Sequence, residues 1–115
     1  GIGTYKEAAA VNLLDEREAE RTGLSTDPNG SSLVFFDRFS RKRAGIGITK
    51  AEDPAIGLFD SEGRVQVSVA SLGGRPEVAV LGTNRMEAAL RLGTNGPVIQ
   101  VLGAMPDARV LWRAP

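Results

Sequence analysis

Ile56-Gly-Leu-Phe-Asp-Ser-Glu-Gly-Arg-Val-Gln-Val-Ser-Val69 is the stretch on which the reading of this chain turns. It has the pattern of a β-hairpin. An apolar strand ends in Leu58 and Phe59, a turn follows at Asp60-Ser61-Glu62-Gly63, and Val65, Val67 and Val69 alternate along the returning strand. Asp at the first turn position can cap a nearby amide, and Gly at the fourth accepts left-handed dihedrals, so a type I turn is predicted.

Four other stretches follow the same plan. The pairs Leu13-Leu14, Phe35-Phe36, Leu58-Phe59, Val80-Leu81 and Val101-Leu102 recur every 21 to 23 residues, each followed by Asp15, Asp37, Asp60, Gly82 or Gly103. Val11, Leu33, Ile56, Val78 and Ile99 stand four residues before those turn positions and give a further apolar column. Pro54, Pro76 and Pro97 each precede the turn residue by six and mark strand starts, where no ladder donor is needed. Five hairpins of about 22 residues are therefore predicted, separated by linkers such as Ser25 to Ser32, Lys50 to Pro54 and Gly73 to Pro76. The first repeat is rich in helix formers from Tyr5 to Arg21, but its register with Leu33, Phe35, Phe36, Asp37 and Arg43 favours strands. Residues 1–9 form a lead-in segment for which a short helix is an alternative. In repeats four and five the second strand is displaced by one residue, with Leu90 and Leu111 in the apolar role, as an extra turn residue or a bulge would produce.

The predicted fold is all-β: one domain over residues 1–115, an antiparallel meander of about ten short strands, coiled or closed in the manner of a barrel. Ten strands that each twist by about 20 to 25° cannot stay a flat open sheet. The columns of Val11 and of Leu13 fall on one face, which we call the first, and Leu14, Phe36, Phe59, Leu81 and Leu102 fall on the second. One apolar face can fill an interior, and the other then needs cover, so a homo-oligomer is expected. Phe36, Phe59, Leu81 and Leu102 are the candidate interaction residues. Leu33-Val-Phe-Phe-Asp37 with Arg43, and Leu58-Phe-Asp-Ser-Glu-Gly-Arg64, resemble the Asp-x-x-Gly-x-x-Arg hairpin repeats of many uncharacterised bacterial proteins, over about residues 10 to 112. That resemblance implies a bacterial origin, often beyond a membrane anchor or coiled coil, and implies no activity.

Composition narrows the chemistry. Fourteen basic residues balance fourteen acidic ones, which leaves no overall field toward nucleic acid or an anionic membrane. With no Cys and no His, the chain has no disulfide, thiol nucleophile, Cys/His zinc site or imidazole base of its own. No apolar run approaches the roughly 18 residues of a membrane helix, so membrane insertion of this segment is not expected. The start at Gly1-Ile2-Gly3 is compatible with a parent chain that continues upstream, and the sequence names no compartment.

Arg41, Lys42 and Arg43, near Arg38 and Lys50, make residues 31–50 basic, with five cations against one carboxylate. Phe39 among them offers a stacking surface for a base or a phosphorylated ligand. The favoured alternative is a solvated strand whose cations pair with Glu16, Glu18 and Glu20, and a nucleic-acid partner is not expected. Asp15, Asp37 and Asp60 recur at one position and read as turn caps in preference to Ca²⁺ ligands. Arg21, Arg43 and Arg109 each stand six residues after the turn residue and read as cross-strand ion-pair partners. Gly45-Ile-Gly47 lacks the third glycine of a dinucleotide loop, and Trp112 reads as a seal on the last repeat. No catalytic, metal or cofactor residues stand in a recognisable constellation. The expectation is a non-catalytic scaffold or interaction module, with a small-ligand or carbohydrate-binding barrel as the alternative.

Overall fold

The computed structural model describes residues 2–5, 8–82, 87–93, 96–102 and 110–113, and the side chains within 8–82 and 87–92. Every strand in it pairs antiparallel with its sequence neighbour. The strands are β1 (Ile2–Tyr5), β2 (Ala8–Leu14), β3 (Glu20–Asp27), β4 (Gly30–Phe36), β5 (Lys42–Thr49), β6 (Pro54–Phe59), β7 (Val65–Leu72), β8 (Arg75–Leu81), β9 (Glu87–Gly93), β10 (Gly96–Leu102) and β11 (Val110–Arg113). Together they make one sheet in sequence order, a meander of eleven strands among the described residues. Residues 2–5 and 8–9, where a helical lead-in was the alternative, are strand. Ala8, Ala9 and Ala10 face Tyr5, Thr4 and Gly3 across the β1/β2 ladder, so pairing overrides their helix propensity.

The sheet is open, which corrects the expectation of a closed barrel. β1 and β11 are its two edges. One row runs straight across from Val11 through Leu24, Leu33, Ile46, Ile56, Val69, Val78 and Leu90 to Ile99, each residue directly opposite the next. Strands β2 to β10 span similar levels around that row, and the four-residue edge strands β1 and β11 each extend to one side of it. Barrel closure needs the register to stagger from strand to strand, and this sheet accumulates none. Its extents are 50 × 29 × 18 Å, the longest matching eleven strands spaced by about 4.8 Å. The radius of gyration is 17.2 Å, against roughly 13 Å for a compact domain of this length.

The turns follow from their residues. Asp60 accepts at Oδ1 from the amides of Glu62 (2.9 Å) and Arg64 (3.0 Å), and the Gly63 amide donates to the Asp60 carbonyl. Gly63 has φ +82°, the left-handed position of a type I turn followed by a bulge. Asp15 and Asp37 make the same contacts, with Glu18 and Ser40 at φ 61° in place of the glycine. After each of these three turns the ladder shifts by one residue, leaving Arg21, Arg43 and Gln66 as the bulged residues. The β8/β9 ladder runs through without a shift, from Leu81 opposite Glu87 to Glu77 opposite Arg91. The displacement of Leu90 thus comes from the absence of a bulge in repeat four, whereas β10/β11 carries its own shift at Val101 and Leu102.

At the opposite end of the sheet Gly73 and Gly74, with φ +58° and +76°, form a two-residue turn of the kind that suits a twisted hairpin. Pro54 opens β6, and Pro76 and Pro97 are the second residues of β8 and β10, as expected for strand starts.

Candidate interaction surface

Because paired residues share a face, the register assigns every strand position. The first face carries the row from Val11 to Leu90 and, two residues along each strand, Leu13, Thr22, Phe35, Ala44, Leu58, Val67, Val80 and Ala88. Ile48 and Leu92 extend it at the other end. Every charged strand residue of β2 to β9 outside the bulges and turns, namely Glu20, Lys42, Arg75, Glu77, Glu87 and Arg91, falls on the other face. Apart from the bulged Arg21 and Arg43 and the turns, which the register does not assign to a face, the first face carries no charged residue across eight strands.

It is also open to solvent. Leu13 (60%), Leu24 (52%), Val80 (54%) and Leu92 (54%) are more than half exposed, and Phe35, Ile46, Ile56, Leu58, Val69, Val78 and Leu90 are exposed as well. The only buried hydrophobic side chains among the described residues are Ala79 and Ala89, both on the second face. The accessible surface is 8369 Å², against roughly 6,100 Å² for a compact monomer of this mass. No second layer stands against either face among the described residues. What holds the sheet is its backbone ladder and cross-strand apolar pairs such as Ile46 with Ile56, each contributing about 0.2–1 kcal/mol.

The second face has a middle row in which, apart from Val34, the residues are small: Gly23, Gly45, Gly57, Ser68, Ala79 and Ala89. Over it Phe59 folds back onto Gly57, where a Cβ would meet the ring at 3.1 Å. Lys42 Nζ sits 4.6 Å from the centre of the same ring. Together with Ser32, Gly45, Gly47, Ala55, Val65 and Ser68 they border an open groove of about 300 Å³. Gly47 is required there, since a Cβ would stand 2.5 Å from the Ser31 carbonyl oxygen.

Of the candidate interaction residues, Phe36, Phe59 and Leu81 lie half-buried on the second face. Leu102 ends β10, and its side chain falls outside the described residues, as do that of Trp112 and all of Arg109. The larger exposed apolar surface is the first face, which the sequence reading had assigned to an interior.

The basic run is held by its own turn. Arg41 Nε donates to Asp37 Oδ2 at 2.9 Å, and Arg43 Nη1 lies 3.5 Å from the same oxygen. The guanidinium groups of Arg38 and Arg41 stand 4.8 and 4.9 Å from the Phe39 ring centre. Asp37, not the glutamates of the preceding hairpin, is thus the partner of Arg41 and Arg43. Arg43 Nε also donates to the Phe59 carbonyl at 3.0 Å, and Arg21 Nε to the Phe36 carbonyl at 3.2 Å. Each bulged arginine therefore ties its own turn aspartate to the last residue of the next hairpin's first strand. Desolvation alone would raise the Asp37 pKa, but the amides of Arg41 and Phe39 and the Arg41 guanidinium outweigh it and lower it to about 2. Asp15 is lowered by the amides of Arg17 and Ala19, and Asp60 by the Arg64 amide and then its guanidinium. These carboxylates cap turns, and no group of three or more Asp and Glu suited to a metal ion occurs among the described residues.

A fourth turn of the same form escaped the sequence reading. Thr49 replaces Asp, its Oγ1 accepts from the Asp53 amide at 3.3 Å, and Glu52 takes the left-handed position at φ 64°. Asp53 Oδ1 in turn accepts from the Gly73 amide and ties two loops together. The second-strand column was there to be found, since Leu24, Ile46 and Val69 each stand nine residues after Asp15, Asp37 and Asp60.

Among the described residues no helix is long and apolar enough to cross a membrane. The sequence matches no protein-family model, and a search of curated proteins finds no significant match.

Proposed function

We propose that this chain is a non-catalytic β-repeat scaffold that works by self-association, built from five hairpins of about 22 residues. One observation carries the reading: an exposed apolar face, uncharged at its paired positions, spans β2 to β9, with almost no buried side chains among the described residues. A single layer leaves that surface in water, and domains ordinarily bury such a face against a second layer. The resemblance to bacterial hairpin repeats fits a module within a longer envelope or surface protein. Sedimentation velocity over a hundredfold dilution is the test. Species at multiples of 12.2 kDa that dissociate on dilution are expected; a 12.2 kDa particle at every concentration would remove the reading.

The second-face groove favours one other reading, a binding module for a small ligand or carbohydrate. Its glycine floor lets a flat ring approach the backbone, and Lys42, Ser32 and Ser68 supply polar contacts. Calorimetric titration with a panel of mono- and disaccharides tests it, with Lys42→Ala expected to abolish any heat observed.

A further inference from the structure

The self-association proposed above leaves open which surface is shared, and on that reading we infer that two copies stack first face against first face as a two-layer β-sandwich. Three features favour a second copy as the occupant. The paired positions of the face are uncharged from β2 to β9, with the bulged Arg21 and Arg43 confined to one end beside their turn aspartates, so a charged partner finds no complement along its rows. Its apolar rows repeat with the hairpin, so an identical sheet presents ridges of the same spacing, and a twofold axis needs only such self-complementarity. Eight strands spaced by about 4.8 Å, with strands about 20 Å long, give roughly 700 Å² in projection, close to the roughly 800 Å² per partner of a stable interface. The excess of accessible surface over a compact monomer, roughly 2,300 Å², is large enough to supply it.

The centre of β2 to β9 lies between β5 and β6, which places the twofold beside Ile46 and Ile56. Sheets stacked in this way lie about 10 Å apart with strand directions about 30° from parallel. Edge pairing through β1 or β11 would leave the first face in water and builds open chains of molecules.

The chain has no cysteine, so single cysteines report the contact cleanly. Under mild oxidation Ile56→Cys is expected to cross-link most of the protein into a dimer, and Ser68→Cys, on the second face, to cross-link at least tenfold less. Ile56→Glu and Val78→Glu are expected to shift dimer dissociation to at least a hundredfold higher concentration while leaving the monomer's β-sheet circular dichroism unchanged. A wild-type chain that associates with unchanged mass in both Glu variants, and with no Ile56→Cys cross-link, overturns the sandwich and leaves self-association standing. Wild-type protein that is monomeric throughout, or that is monomeric and co-sediments with phosphatidylcholine vesicles, overturns both.

Discussion

At the scale of single residues, the fold depends on a left-handed position that, of the four similar turns among the described residues, one fills with glycine. Gly63 occupies it freely, whereas Glu18, Ser40 and Glu52 hold the same dihedral region with a side chain. Left-handed backbone costs a non-glycine residue about 1–2 kcal/mol. Ser40→Gly and Glu18→Gly should each therefore stabilise the chain by up to about 1 kcal/mol, once the greater freedom of glycine in the unfolded state is subtracted. Gly63→Val should destabilise it by about 1–2 kcal/mol, entirely through the dihedral, because a Cβ at Gly63 meets nothing within 4 Å. Urea denaturation reads all three, and a neutral Gly63→Val would contradict the turn. The aspartates add a pH dependence. Their carboxyl groups are lowered in the folded state, so their contribution is present above the ordinary value of 3.8 and is lost as pH falls through the lowered one, about 2 for Asp37. Melting temperature should drop between about pH 4 and pH 2, and Asp37→Asn should be less stable at neutral pH and show a shallower drop.

At the scale of the element, the hairpins join through their bulges. Arg43 reaches both Asp37 and the Phe59 carbonyl, so Arg43→Ala should cost about 0.5–1 kcal/mol and speed amide exchange in β6 more than in β4. Gln66 holds the equivalent place in the third hairpin, and the β8/β9 hairpin does without a bulge altogether. Deleting Gln66 should then leave Ile56 opposite Val69 and the later strands in register; loss of β7/β8 pairing by NMR would refute that role. This is also where sequence and structure part. Strand existence, face assignment and the Asp turns were legible because alternation and turn chemistry are local. Bulge placement was not, since it depends on which of two neighbouring residues the partner strand skips, and the one-residue offset of Leu90 reads the same as an insertion elsewhere. The Thr49 turn was hidden because a hydroxyl stands where the repeat elsewhere has a carboxylate. Closure was misjudged for a non-local reason. Twist per strand argues for coiling, but stagger decides closure, and stagger shows only in the assembled register.

At the scale of the molecule, a 12.2 kDa sheet of 50 × 29 × 18 Å has most of its large apolar side chains in contact with solvent. Two apolar faces and a need for cover are legible in the sequence, but of the expected interaction residues Phe36, Phe59, Leu81 and Leu102, the first three are half-buried and the side chain of Leu102 lies outside the described residues. Phe59 folds over Gly57, and Phe36 and Leu81 are likewise half-buried, which leaves the Leu, Ile and Val rows of the first face as the larger surface to be covered. Small-angle X-ray scattering with absolute intensity tests that account most directly, because it reports mass and longest dimension together. Twice the monomer mass with a longest dimension close to the 50 Å of one sheet is expected. A particle of monomer mass, or one of doubled mass lengthened to roughly 100 Å by edge pairing, would contradict it.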